Sequence, residues 1–173
     1  MSTLSNQNFG LVIAYLLPGF VALWGVSYFS PTAGSWIAAS QQDAPTVAGF
    51  MYVTLASLAA GVTVSAVRWA VIDQLHHATG LVPPAWKFAR LEDNLQGYLT
   101  LIENHYRYYQ FYSNMFIAAA FAFAARCVSG DWPSSAAWPA AGFAVLEAIL
   151  LAGSRDTLRK YYTRTQQLLN SSH

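Results

Sequence analysis

The stretch FGLVIAYLLPGFVALWGVSYF, residues 9–29, contains no charged side chain. A helix rises 1.5 Å per residue, so a helix of this length measures about 30 Å, the thickness of the hydrocarbon core of a bilayer. The preceding residues 1–8 contain no Lys or Arg, and the apolar stretch is longer than the core of a secretory signal. We therefore predict an uncleaved transmembrane helix here.

Three further apolar runs continue the pattern. Residues 46–67 and 108–125 contain no charged side chain, and Arg126 closes the second of these runs. Residues 136–153 are rich in alanine but contain Glu147 near the middle, and an acid at membrane depth lowers the hydropathy that drives insertion. The sequence therefore predicts four spans, at about 9–29, 46–67, 108–126 and 136–153.

The composition favours the same class of protein. Charged residues make up 10% and hydrophobic residues 55% of the chain, whereas a soluble domain carries about 25% charged residues. A length of 173 residues corresponds to one domain and leaves no room for a separate catalytic unit. The lone Cys127 excludes an intramolecular disulfide. We predict an all-α polytopic membrane protein with a single membrane domain, residues 1–173.

The basic residues are divided unequally between the two sides of this predicted fold. The connections 30–45 and 126–135 contain only Arg126. The connection 68–107 and the tail after residue 153 contain all the others: Arg68, Lys87, Arg90, Arg107, Arg155, Arg159, Lys160 and Arg164. Because cytoplasmic flanks retain Lys and Arg, we expect a multi-pass protein of the bacterial inner (plasma) membrane with both termini in the cytoplasm. Three spans would separate the two basic segments, which supports the fourth span.

The third and fourth spans are each predicted to extend into the cytoplasm as a helical arm. Pro83-Pro84 breaks the chain, and no proline follows until Pro133. One helix from about residue 85 to 126 would measure about 60 Å, twice the hydrocarbon thickness. The first arm, residues 85–107, and the second arm, residues 154–170, both carry apolar positions at three- and four-residue steps, as a coiled-coil seam does. These positions include Leu91, Leu95, Tyr98, Ile102, Leu158 and Tyr161.

The two arms are expected to pair with each other or with neighbouring subunits. In that case the basic residues of the second arm would meet acidic residues of the first. The basic residues are Arg159, Lys160 and Arg164, and the acidic ones are Glu92, Asp93 and Glu103. The alternative is that the second arm lies on anionic lipid, where each basic residue contributes about 1 kcal/mol.

Within the predicted spans, small residues recur every fourth position and permit close helix packing. They are Ser57, Gly61 and Ser65 in the second span, and Ala136, Ala140, Ala144, Ala148 and Ala152 in the fourth.

Glu147 is the first intramembrane candidate for a functional residue. An acid at the bilayer centre costs about 2.5–3.5 kcal/mol by analogy with Asp, so it should face a partner or a water-filled path. The candidate partners are Asn114 and Tyr112 on the third span, or Arg155. In an oligomer, copies of Glu147 could form a ring suited to cations or protons. Alternatively, a protonated Glu147 makes a single interhelical hydrogen bond.

The pair Pro18-Gly19, at the centre of the first span, is the second candidate. Proline has no N–H, so it leaves the carbonyl of Ala14 without its helical donor and permits a kink or an unwound turn. Broken membrane helices often line binding sites. Proline kinks are also common in ordinary spans, and both interpretations stay open.

Signatures of chemistry are absent from the sequence. Asp73, His76 and His77 follow the second span, but an interfacial cluster with an Asp73–His77 pair explains them better than a metal site. The chain has no GxSxG, HExxH or glycine-rich phosphate loop. We predict no catalytic residue, cofactor or metal, and no direct binding of nucleic acid, because the basic residues only flank the spans.

The heptapeptide AYLLPGF, residues 14–20, resembles the first span of small uncharacterised bacterial four-span inner-membrane proteins. The layout of four spans with cytoplasmic helical arms is similar to membrane components of antiphage defence systems. That resemblance implies arms that relay a signal from a cytoplasmic partner.

The sequence leaves three functional hypotheses. The first is a homo-oligomer that senses or executes a membrane event, such as an ion leak, depolarisation or signal relay, with a cytoplasmic protein partner. The second is a passive scaffold or anchor subunit in which Glu147 only holds helices together. The third is a membrane-embedded enzyme.

Overall fold

The computed structural model describes residues 10, 12–39, 47–130 and 137–170, and these residues form helices and turns without a strand. The helices are α1 (Val12–Ser27), α2 (Pro31–Ala39), α3 (Val47–Ala78), α4 (Leu95–Val128) and α5 (Ala137–Asn170), with a short 3₁₀ turn at Phe88–Arg90. The all-helical class predicted from the sequence is confirmed over these residues.

Three of the helices are long and apolar enough to cross a membrane. Helix α3 has 32 residues, and α4 and α5 have 34 residues each. A helix of 34 residues measures about 50 Å and exceeds the hydrocarbon thickness by about 20 Å. Helix α1 is apolar but shorter. The chain therefore has the helices of a membrane protein, and each of the three long helices is longer than the hydrocarbon core is thick.

Helix α1 lies between α3 and α4 and contacts both along its length. Its approach to α3 is close because a Cβ atom on Gly19 would overlap the carbonyl oxygen of Ser57, and one on Gly61 would overlap the carbonyl oxygen of Tyr15. Without a hydrophobic force between helices in lipid, such backbone contact supplies the packing energy. The crossing thus uses the small residues of the second predicted span.

Helices α4 and α5 form an antiparallel pair at the edge of the bundle. Phe123 and Phe143 stack with ring centroids 3.9 Å apart, and farther along Tyr112 packs against Gly153. Only 11% of the apolar window of α5 is buried within the chain. The alanines at 144, 148 and 152 are exposed and Ala140 is partly buried, so these three exposed alanines do not pack inside the chain. Ala136, the first of the predicted stripe, lies outside the described residues.

Beyond the apolar part of the bundle, the end of α5 packs against the beginning of α4. Leu158 and Tyr161 of α5 form a buried cluster with Tyr109 of α4. The Tyr98 and Tyr161 hydroxyls lie 3.2 Å apart. We call the paired segments, residues 95–107 and 154–170, the helical arm. Its aromatic packing makes the arm continuous with the bundle.

The prediction of one helix starting near residue 85 is wrong. Helix α4 begins at Leu95, and residues 91–94 form a hydrogen-bonded turn. Asn94 has a non-helical backbone (φ −117°, ψ 15°), and its Nδ2 donates a hydrogen bond to the carbonyl of Arg90 at 3.0 Å. Asn and Asp side chains compete with the backbone in this way and favour helix starts over helix interiors.

Candidate functional site: a polar layer between the bundle and the arm

Three π-helical turns occur in the described helices, one at the start of α1 and one within each of α3 and α4. They lie at Val12–Leu16 in α1, Trp69–Asp73 in α3 and Ile102–Tyr106 in α4. A π turn is rare and occurs frequently at functional sites. Around these turns, interhelical polar contacts converge on residues 103–114 of α4. A histidine–serine contact between α3 and α5 lies beside them, with the His76 ring centroid 6.1 Å from that of Tyr109, and we call the whole set the polar layer. Its members are Tyr15, Arg68, Asp73, His76, Glu103, Arg107, Tyr109, Gln110, Asn114 and Ser154.

The first contact of the polar layer compensates Pro18. The ring nitrogen of Pro18 cannot donate to the carbonyl of Ala14, four residues earlier. In the structure the fully buried Asn114 donates through Nδ2 to that carbonyl at 2.8 Å. The predicted break in the first span is therefore a π turn, stabilised by a side chain of the third predicted span. It does not line an open site in the described residues.

A second set of contacts continues from Asn114 towards the arm. Gln110 Nε2 donates to the hydroxyl of Tyr15 at 3.1 Å, and Arg107 Nη1 donates to Gln110 Oε1 at 3.0 Å. Arg107 also forms an ion pair with Glu103, with 3.6 Å between Nε and Oε1. This chain of bonds joins the start of α1 to the π turn of α4.

Helices α3 and α4 are joined by Asp73, Tyr109 and Arg68. The hydroxyl of the buried Tyr109 donates to Asp73 Oδ1, and Arg68 Nη1 lies 3.8 Å from the same oxygen. The guanidinium of Arg68 also lies over the Tyr109 ring, 5.2 Å from its centroid. Burial leaves Arg68 only 6% exposed, so Asp73 and the ring balance a charge that would otherwise be costly.

The contact between α3 and α5 is a buried histidine–serine pair. His76 Nε2 lies 3.0 Å from Ser154 Oγ, and the Ser154 hydroxyl donates to the carbonyl of Leu151 at 2.9 Å. The serine proton is thereby used, so the imidazole N–H donates to Ser154. Burial, and secondly the positive charge of Arg155, lower the pKa of His76. The neutral imidazole is therefore favoured.

This pair is not arranged for nucleophilic catalysis. A general base must accept the serine proton from within hydrogen-bonding distance, and here the Leu151 carbonyl, 2.9 Å from Ser154 Oγ, competes for that proton. His76 is 1% and Ser154 0% exposed, so a substrate has no access to either. His77, which the sequence paired with Asp73, is exposed, and Asp73 instead binds Tyr109 and Arg68. In the described part of the chain, no three His, Cys, Asp or Glu residues could hold a metal ion.

Glu147 lies on the side of α5 that is partly covered within the chain. Both carboxylate oxygens are shielded from solvent and have no hydrogen-bond partner among the described residues. The partners expected from the sequence bind elsewhere. Asn114 binds Ala14, Arg155 donates to Thr79, and the Tyr112 ring packs on Gly153. Glu147 is therefore separate from the polar layer.

The residues predicted to mediate assembly divide into two groups. Tyr98 and Ile102 pack against the cluster of Leu158 and Tyr161 inside the arm, whereas Leu95 is 50% exposed and Leu91 precedes α4. The charged positions make other contacts than those expected. Lys160 binds Asp156 on its own helix, Arg164 lies 2.7 Å from His105 Nε2, and Arg159 is exposed. Burial, and secondly Arg164, lower the pKa of His105.

The sequence identified Asn114 and Pro18 but not the hydrogen bond from Asn114 to Ala14, the carbonyl that Pro18 leaves without its helical donor. It assigned no site role to Tyr109, Gln110 or Ser154. The detectable signal was polar residues within an apolar run. Gln110, Ser113 and Asn114 follow one another at helical spacing near the start of the third predicted span.

Comparisons with protein-family models, curated proteins and solved structures found no match to this chain.

Proposed function

We propose that this chain is a four-span protein of the bacterial inner membrane with both termini in the cytoplasm. The three long apolar helices and the shorter apolar α1 support this arrangement. The eight-to-one division of basic residues supports the orientation, because it assigns the arm to the side rich in Lys and Arg.

In this membrane the proposed activity is signal relay. The chain works as a homo-oligomer, a cytoplasmic protein binds the arm, and the polar layer transmits the resulting movement to the spans. The similar layout of antiphage membrane components makes defence against phage the proposed process. The observation that carries the proposal is the polar layer itself, which lies where the arm joins the bundle and links α4 to both α1 and α3.

The two sides of the polar layer differ in a way that suits a relay. Towards the membrane, Gly19 and Gly61 hold α1 and α3 in backbone contact, and close-packed interfaces resist gradual deformation. In the polar layer, each side-chain hydrogen bond contributes about 1 kcal/mol net, so a movement that replaces one partner by another has a low cost. A displacement of α4 at its π turn would thus shift α1 and α3 as units.

The relay can be tested with a synthetic binder selected against the arm, residues 95–107 and 154–170, which replaces the natural partner. Hydrogen exchange of the protein in nanodiscs is measured with and without the binder. We expect binding to change the exchange of α1 and α3, and Tyr109→Phe to remove the change in α3, because it deletes the bond between α4 and Asp73 of α3. Tyr108→Phe is the matched control, since Tyr108 is exposed. If the binder binds the wild-type protein but does not change the hydrogen exchange of α1, the chain is a passive anchor and the relay is contradicted.

The homo-oligomer is tested separately by native mass spectrometry of the full chain. We expect a defined multiple of the subunit mass and loss of that multiple when the chain is truncated after Gly153. A monomeric wild-type protein in nanodiscs contradicts the proposal. An unchanged oligomer after truncation would show that the arm does not hold the subunits together.

An ion leak is the membrane event that Glu147 favours, because its carboxylate is shielded and has no partner in the described residues. An acid in this setting would make a partner or a water path in the oligomer necessary. In proteoliposomes, Glu147→Gln is expected to abolish ion flux and to leave the oligomer intact. Ion flux that persists in the Glu147→Gln variant would show that Glu147 is not required for the leak.

A further inference from the structure

A groove of about 300 Å³ lies between α1, α4 and α5 at the end of the bundle opposite the arm. Trp24 and Tyr28 of α1 form one wall, Ala119 of α4 forms part of the floor, and Leu146 of α5 lies on the opposite wall. Almost all of its lining is apolar. Its volume reaches the lower end of the range for small-molecule sites, about 300–1,000 Å³.

The groove carries one charge, which is Arg126 on α4. In the proposed orientation this residue lies on the outer side, where it is the only basic residue of the two connections. The distribution of Lys and Arg in membrane proteins disfavours that position. An arginine presents a fork of donors that matches the oxygens of a phosphate.

The aromatic residues of the groove, like Arg126, suit a position at the headgroup level of the membrane. Tyr28 follows the last residue of α1, and Trp24 is 48% exposed one turn earlier. Trp and Tyr are enriched at the headgroup level, where one part of the ring is apolar and the other is wet. The groove therefore combines an apolar slot with a cation and amphipathic rings at its outer end.

We propose that this groove binds an anionic phospholipid, with one acyl chain between α1 and α5 and the phosphate on Arg126. The charge complementarity favours this occupant over a zwitterionic lipid, and the apolar lining favours an acyl chain over a polar ligand. The inference depends on the membrane location and the orientation but not on signal relay. A lipid site and a relay can therefore fail independently.

Native mass spectrometry of the full chain in detergent tests the site by titration with phosphatidylglycerol or phosphatidylcholine of identical acyl chains. We expect one tightly bound phosphatidylglycerol per subunit. Its affinity should exceed that of phosphatidylcholine about fivefold or more, which is the effect of one basic residue on an anionic lipid. Arg126→Gln should remove the preference while acyl binding persists. Lys87→Gln, a change on the cytoplasmic side, is the charge-matched control and should keep it.

Two further variants test the slot itself. Ala119→Leu fills the floor of the groove and should reduce the binding of both lipids at least fivefold, whereas Ala124→Leu, outside the groove, should not. Leu146→Trp also narrows the groove, and Leu146 is an exposed position. This variant replaces Ala119→Leu in the test if Ala119→Leu does not fold. Equal binding of both lipids by the wild-type protein overturns the proposal. It is likewise overturned if neither filling variant changes binding, or if crosslinking places a second copy of the chain in the groove.

Discussion

Pro18 removes one backbone donor from α1, and Asn114 supplies a donor from α4 to the same carbonyl. Leaving a buried carbonyl without a partner costs about 1–3 kcal/mol, and in lipid no water can replace the partner. The residue that breaks α1 therefore also ties α1 to α4. At the scale of single residues, Asn114 compensates the defect made by Pro18, and Asp73 balances the charge of Arg68.

His76 gives the polar layer a dependence on pH. Its pKa is lowered by burial and by Arg155, so the unfolded chain takes up the proton first as the pH falls. Above the usual histidine pKa of about 6.5, His76 therefore does not reduce the free energy of unfolding. As the pH falls below that value, the free energy of unfolding decreases. We expect the melting temperature in detergent to fall between about pH 7 and pH 5, and His76→Gln to reduce this fall.

The matched control is His77→Gln, because His77 is exposed on the same helix. It should reduce the pH dependence much less than His76→Gln does, because the charge of His77 is the smallest of the causes that lower the pKa of His76. Burial and a neighbouring arginine also lower the pKa of His105. The melting temperature of the variant carrying both His76→Gln and His105→Gln should therefore depend on pH even less. An identical pH profile for His76→Gln and the wild-type protein would contradict the effect.

At the scale of elements, the bundle combines two kinds of helix contact. The α1–α3 crossing is made by backbone at Gly19 and Gly61, whereas the arm is made by aromatic rings, with Tyr106 and Tyr161 centroids 5.1 Å apart. Small residues suit a membrane interior, and large amphipathic rings suit a surface that meets water. The change from one kind to the other coincides with the polar layer.

Gly19→Ala tests the crossing. The added Cβ would overlap the carbonyl of Ser57, so the two helices must separate. We expect a loss of about 1–3 kcal/mol in the free energy of unfolding, the typical cost of overpacking. The measurement is equilibrium unfolding in mixed detergent micelles.

Gly142→Ala is the control, because nothing lies within 4 Å of the Cβ that it would add on α5. Its effect should stay within about 0.5 kcal/mol, as for exposed positions in general. Equal losses for the two variants would show that the close approach of α1 and α3 does not determine stability.

At the scale of the whole molecule, the decisive property is the direction in which each helix crosses the membrane. The arm consists of the beginning of α4 and the end of α5, so both of its parts lie on one side if the two helices cross fully. Arg126 and Cys127 near the end of α4 then lie on the opposite side. This arrangement follows from the antiparallel α4–α5 pair.

Cys127 is a natural probe of this topology, since it is the only cysteine of the chain and is exposed. We expect a membrane-impermeant maleimide to label it in cells whose outer membrane has been permeabilised and whose inner membrane is intact. In a Cys127→Ser background, Thr163→Cys on the arm should be labelled only after lysis. Labelling of the arm in cells with an intact inner membrane would contradict the proposed topology. It would mean that the orientation is reversed or that the number of spans differs from four.

The sequence by itself determined the helical class, the long apolar helices and the small-residue face of α3, because these properties depend on hydropathy and local spacing. It identified Pro18 and Asn114 as unusual but could not pair them, since they are far apart in the chain. Only the tertiary structure decided that Asn114 binds Ala14 and not Glu147, that α4 begins at Leu95, and that Arg164 contacts His105. Side-chain partners depend on which helices are neighbours and at what height, and helical periodicity specifies a face without specifying what it meets.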